Sequence, residues 1–470
     1  MFLLAATVIW CIYLVLSRLV FHPLRMFPGP KMAALTSWYV AYWETIRDEM
    51  LVKQLEQLHQ IYGEHSTGIF SIYSTQANVI KDPNYYWCFN IDESVVGFTD
   101  PVLAKKRRDI LNPLFSRRSI LKLESIIQEK VSFKATSMDI ITAYCYAQSF
   151  DALHSPGFAH PILLGMEAIT ATMTAVRHFP VLRSMHYLPE GVTRMMKPDA
   201  VGFFSLQKVL GKQIDKILAD PGVLETVHDT IYHRFLADDG DRPSRKSLLE
   251  EAQTFLIAGT DTTSNAMSIG FFHVLNDPSV RAKLVAELKA TCPEKESSMP
   301  YDSLEKLPYL TGVVKESLRM SIGVPVSLPR VLSADMDIDG ISVPAGTVVG
   351  MGTSFILMNK DIFPEPEVFN PDRWIQSDSP SLDRYLVPFS RGPRACLGMN
   401  LAWCELYLVF GNLFRKLDME IYKTRSAIFS VISYFSSLKL LYSPEDLSFR
   451  CHFLPIFCGR HLHVAARDCH

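Results

Sequence analysis

At 470 residues and a formal net charge of −2, the chain lacks the basic excess of a dedicated nucleic-acid binder. Its nine cysteines show no paired spacing and no Asn-x-Ser/Thr triplet occurs, which argues against a disulfide-framed secreted glycoprotein. The length admits several domains or one large one. Phe2 to Leu16 carries no charge and Arg18 is the first charged residue. With Leu19 to Phe21 the apolar span is about 20 residues, enough to cross a bilayer. A cleaved signal peptide is the alternative, but no basic region precedes the run and no small-x-small site follows it. Arg18, Arg25 and Lys31 come after it, which places the remainder on the cytoplasmic side. Residues 1–21 are therefore expected to be a single N-terminal transmembrane helix, followed by one large domain over 22–470. Phe27-Pro28-Gly29-Pro30 reads as a stiff hinge. Trp38 to Tyr62 is apolar at helical spacing, with Leu51, Leu55, Leu58 and Ile61 on one stripe. Residues 64–80 follow no clean period.

Further along, Lys105, Lys106, Arg107 and Arg108 form a basic run on a helix over about 99–116, most of it expected on a solvated face. Residues 150–240 alternate helical stripes with proline-marked turns. Ser247 to Asn276 predicts one long apolar helix interrupted by Ala258-Gly259-Thr260-Asp261-Thr262-Thr263. Glycine and three threonines are poor helix formers, and an acid in an apolar helix is costly. Threonine hydroxyls bond back to the preceding turn and bend a helix, so this stretch reads as one that opens to hold water and a ligand. Glu316 and Arg319 share a helix face. Phe389-Ser390-Arg391-Gly392-Pro393-Arg394-Ala395-Cys396-Leu397-Gly398 is a tight Gly/Pro loop delivering Cys396 to an apolar helix over about 397–417. Without a Cβ at Gly392 and Gly398, a flat group can lie against the backbone. The helix dipole and Arg394 are expected to favour a thiolate.

The pattern Phe-x-x-Gly-x-Arg-x-Cys-x-Gly resembles the haem-binding signature of the cytochrome P450 superfamily. The resemblance implies haem b ligated through iron by Cys396, a propionate contact from Arg394, and Phe389 packed near the sulfur. The Ala258–Thr263 stretch resembles the family's oxygen-activating motif. By that match Thr262 hydrogen-bonds dioxygen, Asp261 feeds protons through water, and Ala258-Gly259 leaves room for oxygen. Arg108 and Arg330 match further propionate contacts, but Ala104 stands where the family often has His or Trp. By the same resemblance Arg373, in Phe369-Asn370-Pro371-Asp372-Arg373-Trp374, would complete a buried network with Glu316 and Arg319, and Val324 to Ser327 match pocket-lining positions. Residues 132–137 read as a deletion and 425–442 as an irregular insertion. The implied fold is mainly α with a small β-rich side.

The implied activity is monooxygenation: one oxygen atom of dioxygen enters a hydrophobic small molecule, a terpenoid or other fungal secondary metabolite. No nicotinamide or flavin motif occurs, so electrons are expected from NADPH through a separate reductase, NADPH-cytochrome P450 reductase, at the endoplasmic reticulum membrane. Exposed members of the basic run would serve as its docking face. The alternatives are a haem-thiolate enzyme of rearrangement or peroxygenase type, a haem binder without turnover, and a membrane-tethered interaction protein.

Overall fold

The computed structural model describes residues 2–421 apart from 48–50, 64–67, 122–132, 157–159, 189, 197–200, 225–227, 238–241, 296, 298 and 377–378, together with three backbone strands nearer the carboxyl end. The chain opens with α1, Phe2–Leu19, none of whose residues is buried. At 1.5 Å per residue it spans about 27 Å, and it is long and apolar enough to cross a membrane. The helix expected over 38–62 is broken: a turn of helix at Trp38–Ala41 passes into a wider π turn at Tyr42–Ile46. A second helix resumes at Leu51–Tyr62. Glu44 in the π turn binds Arg177 and His178, a distant partner that helical periodicity does not register. The irregular segment resolves into a short helix, Gly68–Ile72, and strand β1, Val79–Lys81.

The main helices follow: α2, Pro101–Leu111; α3, Phe133–Tyr146; α4, Pro161–His178; α5, Val201–Ala219; α6, Arg245–Asn276; α7, Pro278–Thr291; α8, Pro308–Ser321. Helix α2 starts where the sequence says it must. The Asp100 carboxylate accepts from the Val102 and Leu103 amides at 2.7 and 3.1 Å, and Pro101 occupies the first position, where its missing N–H costs nothing. Asp277 closes α6 and caps α7 by accepting from Ser279 N at 2.8 Å. The suspected deletion at 132–137 coincides from Phe133 with the start of α3.

Strands β2, Arg330–Leu332, β3, Met336–Ile338, β4, Ile341–Val343, and β5, Val348–Val349, form the β-rich side. β2 lies antiparallel between β1 and β5, and Lys81 stands directly opposite Arg330. Helix α9, Met399–Lys416, runs straight into β6, Leu417–Ile421. Strands β7, Phe449–Cys451, and β8, Pro455–Phe457, pair with each other, and β9, Val464–Asp468, pairs with β6. The suspected insertion at 425–442 lies outside the described residues.

Helix α6 is the axis of the helical layer, packed against α3, α5, α8 and α9. The Phe271 ring sits 4.6 Å from that of Phe410 and 4.7 Å from that of Phe414, centre to centre, which ties α6 to α9. A Cβ on Gly270 would fall 2.0 Å from Ser317 Oγ and 2.5 Å from Phe410 Cζ. Only glycine lets α6, α8 and α9 meet there.

Candidate haem-thiolate site

Loop 389–398 is fixed by its own backbone. The Cys396 amide donates to Phe389 O at 2.9 Å and Ala395 N to Gly392 O at 3.0 Å. Gly392 has φ +72°, and a Cβ there would lie 2.5 Å from Tyr73 O. Its glycine is therefore demanded by the turn and by the neighbouring chain. Gly398 has open space around it and precedes α9 as its N-cap, so the helix begins two residues later than the sequence implied. Phe389 is half-buried against the core, its ring 6.2 Å from that of Trp403. Cys396 is surrounded by protein mass yet leaves its side chain accessible. Together these describe a sulfur facing an interior space.

The electrostatics correct one expectation. Burial raises the Cys396 thiol pKa, and the groups that work against burial are the Gly398 amide and Arg108, not Arg394. Without a metal the residue is a thiol. A coordinating metal deprotonates it outright.

The middle of α6 stays helical throughout, so the opening expected from the sequence is a space beside the helix and not a break in it. Leu256 and Thr260 are buried, but Ala258 between them is exposed, which in a helix with buried flanks marks an empty chamber beside it. The Thr262 hydroxyl donates to Ala258 O at 2.8 Å, the back-bonding anticipated for a helical threonine. Thr260 Oγ1 is buried without a partner among the described residues. Gly259 has another reason to be glycine: a Cβ would lie 2.7 Å from Ile141 Cγ1, so it admits α3. Asp261 is held in an ion pair with Lys134 Nζ at 2.9 Å, and Lys134 also binds Glu167. Burial works against the Lys134 charge, but Asp261 and Glu167 outweigh it and lift the lysine above its ordinary value. Nothing in the spacing announces Lys134 and Glu167, which lie on other helices.

The basic run divides. Lys105 and Lys106 are exposed, with Lys105 paired to Asp109 at 2.6 Å. Arg107, expected among the solvated residues, is buried and bonded to Glu251 at 2.7 Å and to Ser247 at 2.9 Å. Burial, opposed by that arginine, pushes the Glu251 carboxyl up to about 7. Arg108 is half-buried and acts electrostatically on Cys396. Arg330 is buried and donates to Tyr86 Oη at 3.1 Å. Arg394 donates to Phe98 O at 2.8 Å and to Val95 O at 3.4 Å. Burial lowers Arg394 to about 10, with Arg330 and Arg108 adding to the shift. Among the described residues none of Arg108, Arg330 and Arg394 forms an ion pair with a carboxylate. Three clustered guanidinium groups without a counter-ion need an anion. An accessible thiol, an exposed position in the middle of α6 and unneutralised arginines fit a flat metal-bearing ring with acidic side groups.

The Glu316 network forms as the resemblance implied. Arg319 reaches Glu316 through Nε at 3.0 Å and Nη2 at 2.8 Å, and Arg373 Nε at 3.1 Å. The Asn370 amide and Trp374 Nε1 add bonds at 3.0 and 2.8 Å. Burial raises the Glu316 pKa, but Arg319, Arg373 and the Asn370 amide more than offset it and hold it below its ordinary value. At its end α8 turns through Ile322 and Gly323, both at positive φ. A Cβ on Gly323 would lie 2.9 Å from Pro388 O, so the network positions the helix on which the cysteine loop rests.

A cavity with about 690 Å³ of empty space, part of it open to solvent, lies beside the first half of α6, bounded by α4, α5, α6 and residues 88–91. Ile169, Met173, Phe203 and Ile257 give it apolar walls, and Gln207 and Gln253 face it from opposite helices. Gln253 is buried. Residues 324–327, implied at the pocket, do not line this cavity.

A family model described as cytochrome P450 matches residues 105–437. The chain is 30% identical to the cytochrome P450 monooxygenase astB of Aspergillus terreus, over 90% of either protein. It is 33% identical to the cytochrome P450 monooxygenase sdnE of Sordaria araneosa, over 89% of this chain and 91% of that one. It is also 30% identical to the N-acetyltryptophan 6-hydroxylase ivoC of Emericella nidulans, over 89% of this chain and 90% of that one.

Proposed function

Because the chain belongs to the cytochrome P450 family and is a haem monooxygenase, we propose that it hydroxylates a small secondary metabolite carrying at least one hydrogen-bonding group, in a fungal biosynthetic pathway. The observation that carries the substrate class is the pair of side-chain amides, Gln207 and Gln253, facing the cavity with no hydrogen-bond partner among the described residues. Their amide groups are accessible from the cavity and so can bond a ligand there. A site built this way favours a ligand that supplies an oxygen or nitrogen partner over a bare hydrocarbon. N-acetyltryptophan, named for the relative ivoC, carries such groups, as does an oxygenated terpenoid. Gln253 lies one helical turn from Ile257 on the same stripe. It precedes Ala258 by five residues, about 7.5 Å along the axis.

Haem supplies the oxidising chemistry, splitting dioxygen with two electrons and inserting one atom into the substrate. The residues of this chain hold, orient and protonate. Cys396 would bind the iron, and Arg108, Arg330 and Arg394 would bind the propionates. The Thr262 hydroxyl is already donating to Ala258 O, so its lone pairs remain to accept from a water and to fix the direction of a proton. Asp261 receives protons from bulk solvent when its pair with Lys134 opens. Electrons come from NADPH-cytochrome P450 reductase docked on a face that includes Lys105 and Lys106. Helix α1 tethers the chain to the endoplasmic reticulum membrane as a single-pass anchor.

In purified protein reconstituted with the reductase, Gln253→Leu is expected to raise KM for the polar substrate about tenfold. The spectrum of the reduced carbon monoxide complex should stay unchanged. An unaltered KM would remove Gln253 from substrate recognition. Thr262→Val is expected to keep the haem and sustain NADPH consumption while product per NADPH falls about tenfold or more. Unchanged coupling in that variant rejects the proton-directing role.

A further inference from the structure

Lys81 is a buried cation in a neighbourhood that already holds too many. It ends β1 and stands directly opposite Arg330 in the antiparallel register. Like charges facing each other across a strand pair destabilise it, and here both residues are buried, 7% and 2% exposed. The two converge on Tyr86: Lys81 Nζ lies 4.2 Å from the ring centre and Arg330 donates to the hydroxyl. Lys81 Nζ also donates to Val96 O at 2.5 Å, next to the Val95 carbonyl that Arg394 engages. Arg108 completes the group, acting with Arg394 and Arg330 on the lysine charge. Burial and these three arginines depress the Lys81 pKa well below its ordinary value. No carboxylate forms an ion pair with Lys81 among the described residues.

A carbonyl and an aromatic face occupy part of an ammonium group, which has three donors, but they do not neutralise it. A buried charge persists when a counter-charge comes to it. We propose that Lys81 binds a carboxylate of the cofactor as a fourth cation beside Arg108, Arg330 and Arg394, in compensation for the propionate contact missing at Ala104. The inference rests on the haem reading of the site. Lys81 is a positioning residue: its ammonium places the tetrapyrrole's acidic edge and leaves the iron ligand untouched. It also contributes positive potential at the ring.

The test uses the holoenzyme and two variants. Lys81→Met keeps the aliphatic stem and removes the charge, whereas Lys81→Arg keeps the charge. Transfer of haem to apomyoglobin is expected to be about tenfold faster from Lys81→Met than from wild type, the value of one charge-assisted bond, and near wild type from Lys81→Arg. The iron reduction potential should move negative in Lys81→Met alone, because a nearby positive charge favours the reduced state. Wild-type transfer rate and potential in Lys81→Met overturn the proposal. So does equal acceleration in both variants, which marks loss of the Val96 contact rather than of charge. If the wild-type protein takes up no haem, the reading of the whole site falls with it.

Discussion

Cys396→Ser is expected to abolish the strongly red-shifted band of the reduced, carbon monoxide-treated protein and all monooxygenase turnover. The Cys396 sulfur faces an interior space, and the residue is held by the hydrogen bond its backbone N–H donates to Phe389 O rather than by its own side chain. Serine keeps that backbone and nearly the same volume, so the loop and α9 survive the change. What goes is a soft, deprotonatable ligand. An alcohol lacks both the low pKa and the polarisability that make a thiolate bind iron and push electron density toward it. The measurement is a difference spectrum on purified protein expressed with ample haem precursor. A normal band in the serine variant refutes the ligand assignment.

Glu316→Ala is expected to cause the largest loss of stability of any single change outside the loop. It leaves Arg319 and Arg373 buried beside each other with no counter-charge. Breaking a buried pair from one side costs about 3–5 kcal/mol, a large share of the 5–15 kcal/mol that holds a typical domain. The effect should appear as a fall in unfolding temperature and as poor haem retention, since α8 rests on Pro388 at the cysteine loop. Glu316→Asp, which retains the charge, should lose less. Because the folded-state pKa of Glu316 is depressed, its stabilising contribution is complete at neutral pH. It is lost only as the pH falls below the ordinary glutamate value of 4.5 toward the lower folded value. Equal stability of Glu316→Ala and wild type between pH 6 and 8 rejects the structural role.

What the amino-acid order revealed was local. Loop 389–398, the apolar α1 and the polar centre of α6 each carry their signal within a few residues, through glycine, proline and the placement of charge. The Glu316–Arg319 pair is legible for the same reason, and Arg373 became legible because its neighbours form a recognisable stretch. Hidden instead were contacts between distant segments. Arg107 meets Glu251 across 144 positions, Lys134 meets Asp261 from another helix, and Lys81 meets Arg330 only through strand pairing. Nothing in periodicity distinguishes a basic side chain on water from one folded inward onto a carboxylate. Gly259 illustrates the converse. Its place in the motif points to oxygen, while its missing Cβ is accounted for by Ile141.

Arg394 grips Val95, Phe98 and Asp100 from 294 to 299 positions away, and Asp100 begins the helix that carries Arg108. Closing so long a loop is entropically slow. The two walls of the chamber therefore meet late in the maturation of the polypeptide. A tetrapyrrole present while the chain is still condensing finds the mouth open, and one arriving afterwards meets a finished enclosure.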